Sequence, residues 1–569
     1  MRKIFTYSLS YKWSAIIALS LMGIELIVEL VQPLIMAKII DEGIVSKDYS
    51  VVSLWGGLLL VLSLLAFAAG VTNSFFAARL SQGVGYDLRR DLFEKIQSFT
   101  NRNFQSYSTP GLITRITNDV VQIQNLLFMF VRIALRAPLF ILFALVMAFT
   151  IDAKLALILV VSVPLFLVFL SFILTKGVKL FKSVQQKVDG VNTVIRENLT
   201  GIRLIKGFNR GQYEEERFTS VNDDLMTQNK RALWLMEVAM PVVMLGVNLI
   251  ILVILWLGAE RLAANTIQPG EVVALVNYAT RIMFTFSIFT FLIMVFSRGN
   301  ASANRITDIL EEETPSYLKE QHGEKHELKG EVRFQDVSFS HESQPTLDSI
   351  TFKAEAGETI GILGETGSGK TSLLHLIPRL YERTDGAIYL DDYKIEDLDV
   401  KSLRTQISLV PQEIHLFSGT VRDNIAWGKE EATAEEIEAA AKQAQIHDYI
   451  LTLPERYETQ LGQRGVTFSG GQKQRLSIAR ALVRKPKVLI LDDSTSALDA
   501  HTESRLMEAL KGQSCTVFMV AQKISSLKAA HTILILHKGK IVAEGSHEQL
   551  LQESAYYREV YHSQLEEAQ

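Results

Sequence analysis

The amino-acid sequence predicts a chain in two parts. An α-helical six-span membrane domain with long cytoplasmic helix extensions occupies residues 1–310, and a charged linker at 311–330 leads to an α/β phosphate-loop domain at 331–569. Three observations predict this. Six apolar stretches before residue 300 are long enough to cross a hydrocarbon core of about 30 Å, which takes about 20 helical residues. The segment Gly364-Glu365-Thr366-Gly367-Ser368-Gly369-Lys370-Thr371 follows the apolar run Ile360–Leu363 and fits a phosphate loop. Further on, Phe468-Ser469-Gly470-Gly471-Gln472 precedes a second apolar run, Val488-Leu489-Ile490-Leu491, that ends in Asp492-Asp493.

Composition narrows the function classes. The 569 residues are 48% hydrophobic, with the apolar content concentrated in the first 300, and carry a net charge of −4. A nucleic-acid binder would want a clearly basic domain, so none is expected. The single cysteine, Cys515, excludes an intrachain disulfide and a cysteine-based zinc site. A buried strand is its expected place.

The spans are predicted near 13–38, 55–80, 129–151, 155–175, 236–258 and 272–297. No cleavable signal peptide is expected, because the first apolar run is of spanning length. Residues 2–12 alternate basic, aromatic and apolar groups, the pattern of a short interfacial helix. Connections one, three and five are short and poor in Lys and Arg, whereas the other two are long and basic. Arg89, Arg90, Lys95, Lys176, Lys179 and Lys182 place both termini in the cytoplasm of a multi-pass cell-membrane protein. The long inner segments, 81–128 and 176–235, are amphipathic, which predicts helices that continue beyond the bilayer. Pro315 and Gly323 mark the linker.

In the second domain, Val332–Phe334, Val337–Phe339 and Ile360–Leu363 read as strands. In the phosphate loop, Gly364, Gly367 and Gly369 let backbone N–H groups, with Thr366 and Ser368 between them, close on phosphates. Lys370 is expected on the β/γ-phosphates and Thr371 on Mg²⁺. The helix that follows begins at the phosphates, where its partial positive charge favours anions. Asp492, closing its strand, is expected to hold Mg²⁺ directly or through water.

Together the phosphate loop, the Ser-Gly-Gly-Gln segment and the strand ending in Asp492 resemble the nucleotide-binding domain of ATP-binding cassette (ABC) proteins, and with six spans in front the whole chain resembles an ABC exporter half-transporter. That resemblance implies ATP and Mg²⁺ as ligands and Gln412 of Val410-Pro411-Gln412-Glu413 as a Q-loop residue near the metal. It implies His341 where the family stacks an aromatic residue on adenine, a surface histidine being the alternative. Ser469, Gly470, Gly471 and Gln472 would cap the γ-phosphate of a nucleotide held by a second subunit. Residues 111–119 and 197–206 resemble stretches at or beside the coupling helices of exporters.

Two positions depart from the family pattern. Asp493 stands where a glutamate usually orients the attacking water, and Gln522 in Val520-Ala521-Gln522-Lys523 stands where the switch loop usually has histidine. An amide hydrogen-bonds but is neither acid nor base. Gln463 replaces a glutamate usual in the exporter X-loop. The paired departures resemble the degenerate-site half of a bacterial heterodimeric multidrug exporter. They imply a homologous, non-identical partner subunit whose competent site this chain's signature segment completes, and a cargo of amphipathic small molecules. Lipid or peptide export, a symmetric weak ATPase exporter and an ATP-gated channel are the other readings.

Within the first span, Glu25 and Glu29 lie on one helical face with Gln32 nearby. Intramembrane carboxylates face a cavity or a partner. A cationic drug is one candidate ligand, and structural pairing with Arg132, Arg136 or Arg281 is the other. Phe284, Phe286, Phe289 and Phe291 suit either an apolar cavity or helix packing.

Overall fold

The computed structural model describes residues 2–313, 323–341, 344–462, 468–511 and 515–566. Two compact units emerge: residues up to Gln97 with Thr109–Glu312, and the remainder, with which the short segment Ser98–Ser108 groups. Pro315 and Gln463 lie outside the described residues.

The first unit contains six helices long and apolar enough to cross a membrane: α1 (Lys3–Val45), α2 (Tyr49–Gln97), α3 (Thr109–Ile151), α4 (Ala153–Thr200), α5 (Gly211–Ala263) and α6 (Pro269–Glu311). Helices α2 to α5 run well past their predicted apolar stretches, through the amphipathic inner segments. Helix α1 opens with a short helical segment, Arg2–Ser8, and a tight turn at Leu9–Tyr11. There the Tyr7 hydroxyl donates to Asp91 (2.8 Å) and the Tyr11 hydroxyl to Asp87 (3.1 Å), which fastens the N-terminal segment to α2.

Of the two segments likened to coupling regions, 197–206 overlaps a separate short helix, Ile202–Gly207. In the second connection the separate helix is Asn101–Ser106. A capping box between Thr100 and Asn103 fixes its start, while 111–119 lies beside it as the opening turns of α3. Two turns of α3, Arg115–Asp119 and Phe130–Ala134, are π-helical.

Leu30, Phe140, Leu159, Phe166, Ile254, Leu275 and Ile282, drawn from five of the six helices, form the core of this unit. Fully buried Tyr278 donates its hydroxyl to the Leu30 carbonyl, satisfying a polar atom that neither lipid nor core would. Asp119 on α3 accepts from Ser302 (2.8 Å) and from Arg305 Nε (2.8 Å) on α6.

The second unit is built on two larger sheets. Strands β1 (Val332–His341), β2 (Gln344–Ala354), β4 (Asp385–Leu390) and β5 (Tyr393–Lys394) form an antiparallel sheet ordered β2-β1-β4-β5. The predicted pair of strands at 332–339 is one strand, irregular between Phe334 and Val337, where Asp336 has φ 49°. Strands β3 (Thr359–Gly364), β6 (Ile407–Val410), β9 (Val488–Asp492), β10 (Thr516–Val520), β11 (Thr532–His537) and β12 (Lys540–Gly545) form a sheet ordered β12-β11-β3-β10-β9-β6. It is parallel except for β12. Strands β7 (Gly419–Thr420) and β8 (Gln460–Leu461) make a small separate pair.

Every residue of β9 and β10 is buried, which explains their unbroken apolar runs: a parallel sheet covered on both faces has no polar side to alternate with. Cys515 is buried immediately before β10 rather than within it.

Candidate functional site

Register assembles the site. Val520 of β10 stands opposite both Ile362 of β3 and Asp492 of β9, and Val410 of β6 stands opposite Leu491, so four strands end at one level. The loops that leave those carboxyl ends carry the phosphate loop, Asp493, Gln522 and Gln412. Open parallel sheets bind ligands at that edge.

The phosphate loop turns from β3 into helix α7 (Lys370–Leu376) through Gly367 (φ +83°) and Gly369 (φ +100°). A Cβ on Gly369 would stand 2.9 Å from the Thr346 carbonyl oxygen, so glycine is required there both for conformation and for room. The Lys370 ammonium folds back, donating to the carbonyls of Gly364 (2.9 Å) and Glu365 (2.7 Å). Burial pushes its pKa down. Thr371 donates to Asp492 Oδ1 at 3.2 Å, which brings together a hydroxyl and a carboxylate of the kind Mg²⁺ prefers. Burial raises the Asp492 carboxyl above its ordinary value.

Asp493 is also buried, at a left-handed position (φ 49°) that aspartate tolerates better than most residues. Its Oδ2 accepts from Gln522 Nε2 (3.0 Å) and from Gln412 Nε2 (3.3 Å). Burial raises its pKa, and the hydrogen bond from Gln522 pulls it back. The two departures from the family pattern are therefore in contact, with the Q-loop amide as a third member.

A cavity of about 250 Å³ is lined by Thr366, Gly367, Gly369, Lys370, Thr371, Gln412, Asp492, Asp493 and Gln522. Thr346, Ser372 and Val520 also line it, and sequence reasoning missed them. Ser372 directly follows the loop motif and Val520 opens the switch-loop segment, but nothing in the sequence marks Thr346. Gly364 supplies the carbonyl that Lys370 holds, and Ser368 is buried beneath the loop.

His341 ends β1 outside that lining. Its Nε2 lies 3.3 Å from Ser372 Oγ, and its ring meets Phe339 and Tyr381 edge-on. It is a half-buried member of an aromatic cluster rather than an isolated surface histidine.

The signature segment stands apart from the cavity. Ser469 caps helix α8 (Gly470–Leu482), accepting from the Gln472 N–H, while the Gln472 side chain accepts from the Ser469 N–H (2.8 Å). Gly471 packs so closely that a Cβ would lie 2.8 Å from the Ala497 carbonyl oxygen. Gln474 ties α8 to the turn after Asp493, accepting from the Ala497 N–H (3.0 Å) and donating to Ser496 Oγ (3.3 Å). Ser469, Gly470, Gly471 and Gln472 do not line the phosphate cavity.

In the membrane unit the carboxylates are occupied. Arg136 donates from one guanidinium nitrogen to Glu25 Oε1 and from the other to Glu29 Oε2, both at 2.6 Å. Arg281 donates to the Glu29 carbonyl (3.1 Å) and to Gln32 Oε1 (3.0 Å). Of the two candidate roles for Glu25 and Glu29, the geometry is that of structural pairing. The aromatic run divides as well: Phe286 is buried against Phe166 and Phe289, and Phe284 lines an apolar groove.

Six long apolar helices followed by a phosphate-loop domain whose site gathers at the carboxyl edge of a parallel sheet define an ATP-driven membrane transporter of the half-length type. The chain belongs to the ABC transporter family: residues 15–287 match the ABC transporter transmembrane region and residues 347–496 the ABC transporter domain. It is 49% identical over 567 residues, 99% of each chain, to the uncharacterized ABC transporter ATP-binding protein YfiB of Bacillus subtilis. It is 32% identical over 573 residues, again 99% of each, to the ATP-dependent lipid A-core flippase of Desulfotalea psychrophila. In fold it matches the structure of a bacterial Atm1-family ABC exporter with ATP bound, at a TM-score of 0.77 and 23% identity, covering 97% of this chain and 98% of that one. The chain is thus an ABC exporter half-transporter with an ATP-binding domain.

Proposed function

We propose that this chain is one half of a heterodimeric exporter that moves amphipathic drugs or other hydrophobic compounds across the cytoplasmic membrane. Both termini and the nucleotide-binding domain face the cytoplasm, and the partner is a homologous, non-identical half-transporter. The functional division is a membrane domain at 1–310, a linker at 311–330 and a nucleotide-binding domain at 331–569. This chain's own phosphate-loop site is catalytically degenerate, and its Ser469–Gln472 segment completes the partner's competent site.

One observation carries the proposal: the Asp493 carboxylate is one methylene shorter than glutamate and is drawn toward two amide donors, Gln522 and Gln412. An acid held back in this way is poorly aimed at a water molecule, and a displacement of about 1 Å costs on the order of 10²-fold in rate. Gln522 offers no proton-transfer chemistry in compensation. Binding is a different matter. Lys370 exchanges its two loop carbonyls for phosphate oxygens, and backbone N–H groups around Gly367 and Gly369 close on the same anion. Thr371, Asp492 and Gln412 are suited to hold Mg²⁺, which when bound neutralises charge between the β- and γ-phosphates.

Single-turnover hydrolysis by the assembled pair is expected to release phosphate from one site per dimer. Equal release from both overturns the proposal, as does brisk MgATP turnover by the purified chain alone with Asp493 indispensable. The second reading, lipid export, is favoured by relatives named as lipid A-core flippases at 32% and 33% identity.

A further inference from the structure

We infer that the membrane unit carries a binding site for an anionic headgroup: a cavity between α1, α3 and α6 in which Arg132 is the free guanidinium and an amphipathic molecule with a phosphate or carboxylate head is the ligand. This rests on the exporter reading and names the chemistry of its cargo.

The cavity measures about 360 Å³ and is lined by Glu29, Arg132, Arg136, Phe140, Thr285 and Ile288. Three guanidinium groups, those of Arg132, Arg136 and Arg281, meet two carboxylates, those of Glu25 and Glu29, which leaves one positive charge. The acids are not available to a cation, because Arg136 spans both and Arg281 adds a contact to Glu29 at 3.9 Å. Arg132 has no acidic partner among the described residues. Its guanidinium lies 5.8 Å from the centre of the Phe128 ring, and the residue is exposed. It sits inside the π-helical turn Phe130–Ala134, a local rewinding of a kind frequent at functional sites.

A guanidinium left without a carboxylate inside a spanning helix calls for an anionic partner, because a charge unsatisfied there is costly. Its planar fork suits phosphate and carboxylate oxygens. On the neighbouring face of α6, one residue from Thr285, Phe284 joins Met240, Met244 and Met283 in an apolar groove of about 180 Å³. Flexible thioethers of this kind accommodate varied apolar bodies. A head in one cavity with a tail in the other describes an anionic amphipath.

The test uses the full chain in phosphatidylcholine nanodiscs, in the assembly it forms there, with binding to protein-free discs subtracted. Dodecyl phosphate and dodecyltrimethylammonium share a tail and differ in charge. The phosphate is expected to bind at least about tenfold more tightly, Arg132→Gln to erase that margin, Arg132→Lys to keep part of it and Arg132→Glu to reverse it. Ile288→Trp, which fills the cavity and leaves Arg132 in place, is expected to abolish saturable binding. If Ile288→Trp leaves binding unchanged while Arg132→Gln loses it, Arg132 merely touches bulk headgroups and the site is overturned. Equal affinity for the two probes overturns it too. Phosphatidic acid placed in the disc at about one-tenth of the lipid competes if the natural head is a lipid's; added decanoate competes while phosphatidic acid does not if the ligand is soluble. Each result supports the site and assigns its source. Lys370-dependent ATP binding is measured on the same discs. If it persists where charge selectivity is absent, this inference falls and the exporter reading stands.

Discussion

Two glycine-rich turns in the nucleotide-binding unit present opposite pictures. The phosphate loop ends in a pocket where the acid and the switch residue are altered and bonded to each other, with Asp493 held by Gln522 and Gln412. The Ser469–Gln472 turn is intact, reciprocally capped and pressed against Ala497. On the proposed reading, the difference is that one chain loses aim at its own phosphate and keeps the surface it offers to another, because different loops carry the two tasks.

The largest effect expected from breaking this contrast is at the intact turn. Gly471→Ala brings a methyl group against the Ala497 carbonyl oxygen, and steady-state ATP turnover by the assembled pair should fall on the order of 10²-fold, the scale of a misplacement near 1 Å. A smaller change, in the opposite direction, is expected from Asp493→Glu combined with Gln522→His. Single-turnover release from this chain's own site should rise about tenfold, below the roughly 10²- to 10⁴-fold that a fully positioned acid–base group supplies. Smaller again is Asp493→Asn alone, which should alter total turnover less than about threefold if the site is degenerate as proposed. A loss as great as that of Gly471→Ala would erase the distinction between the two turns.

Away from both turns, Cys515 is expected to be nearly unreactive. Burial pushes its thiol from 9.0 up to about 11, so alkylation of the folded chain by N-ethylmaleimide at neutral pH should run on the order of 100-fold slower than for a free thiol. Mass spectrometry reads that directly. Because the folded state holds this proton more tightly, the thiol's contribution to stability is complete below pH 9.0 and is lost as the pH rises toward about 11.

Much of this was legible in the chain itself. Apolar stretches placed the spans because lipid tolerates only helices whose backbone is internally satisfied, and the amphipathic inner segments showed that α2 to α5 would be long. The phosphate loop, Asp492, Asp493, Gln412 and Gln522 were found by local motifs and do converge on one cavity. Contacts between residues distant in sequence were not legible. Nothing near Asp493 announces that amides 29 and 81 residues away share its Oδ2. Nor did spacing choose among Arg132, Arg136 and Arg281 as the partner of Glu25 and Glu29; only the juxtaposition of α1 with α3 does so. Thr346 reaches the cavity because β2, distant in sequence, packs its backbone against Gly369.

The ion pairs at Arg136 and Arg281 have a mechanical corollary. They rivet three helices, α1, α3 and α6, at a single level, and parting any two would strand a carboxylate or a guanidinium in a medium that solvates neither. On the proposed exporter reading, those three helices would travel as one block, with the hinges outside that riveted level.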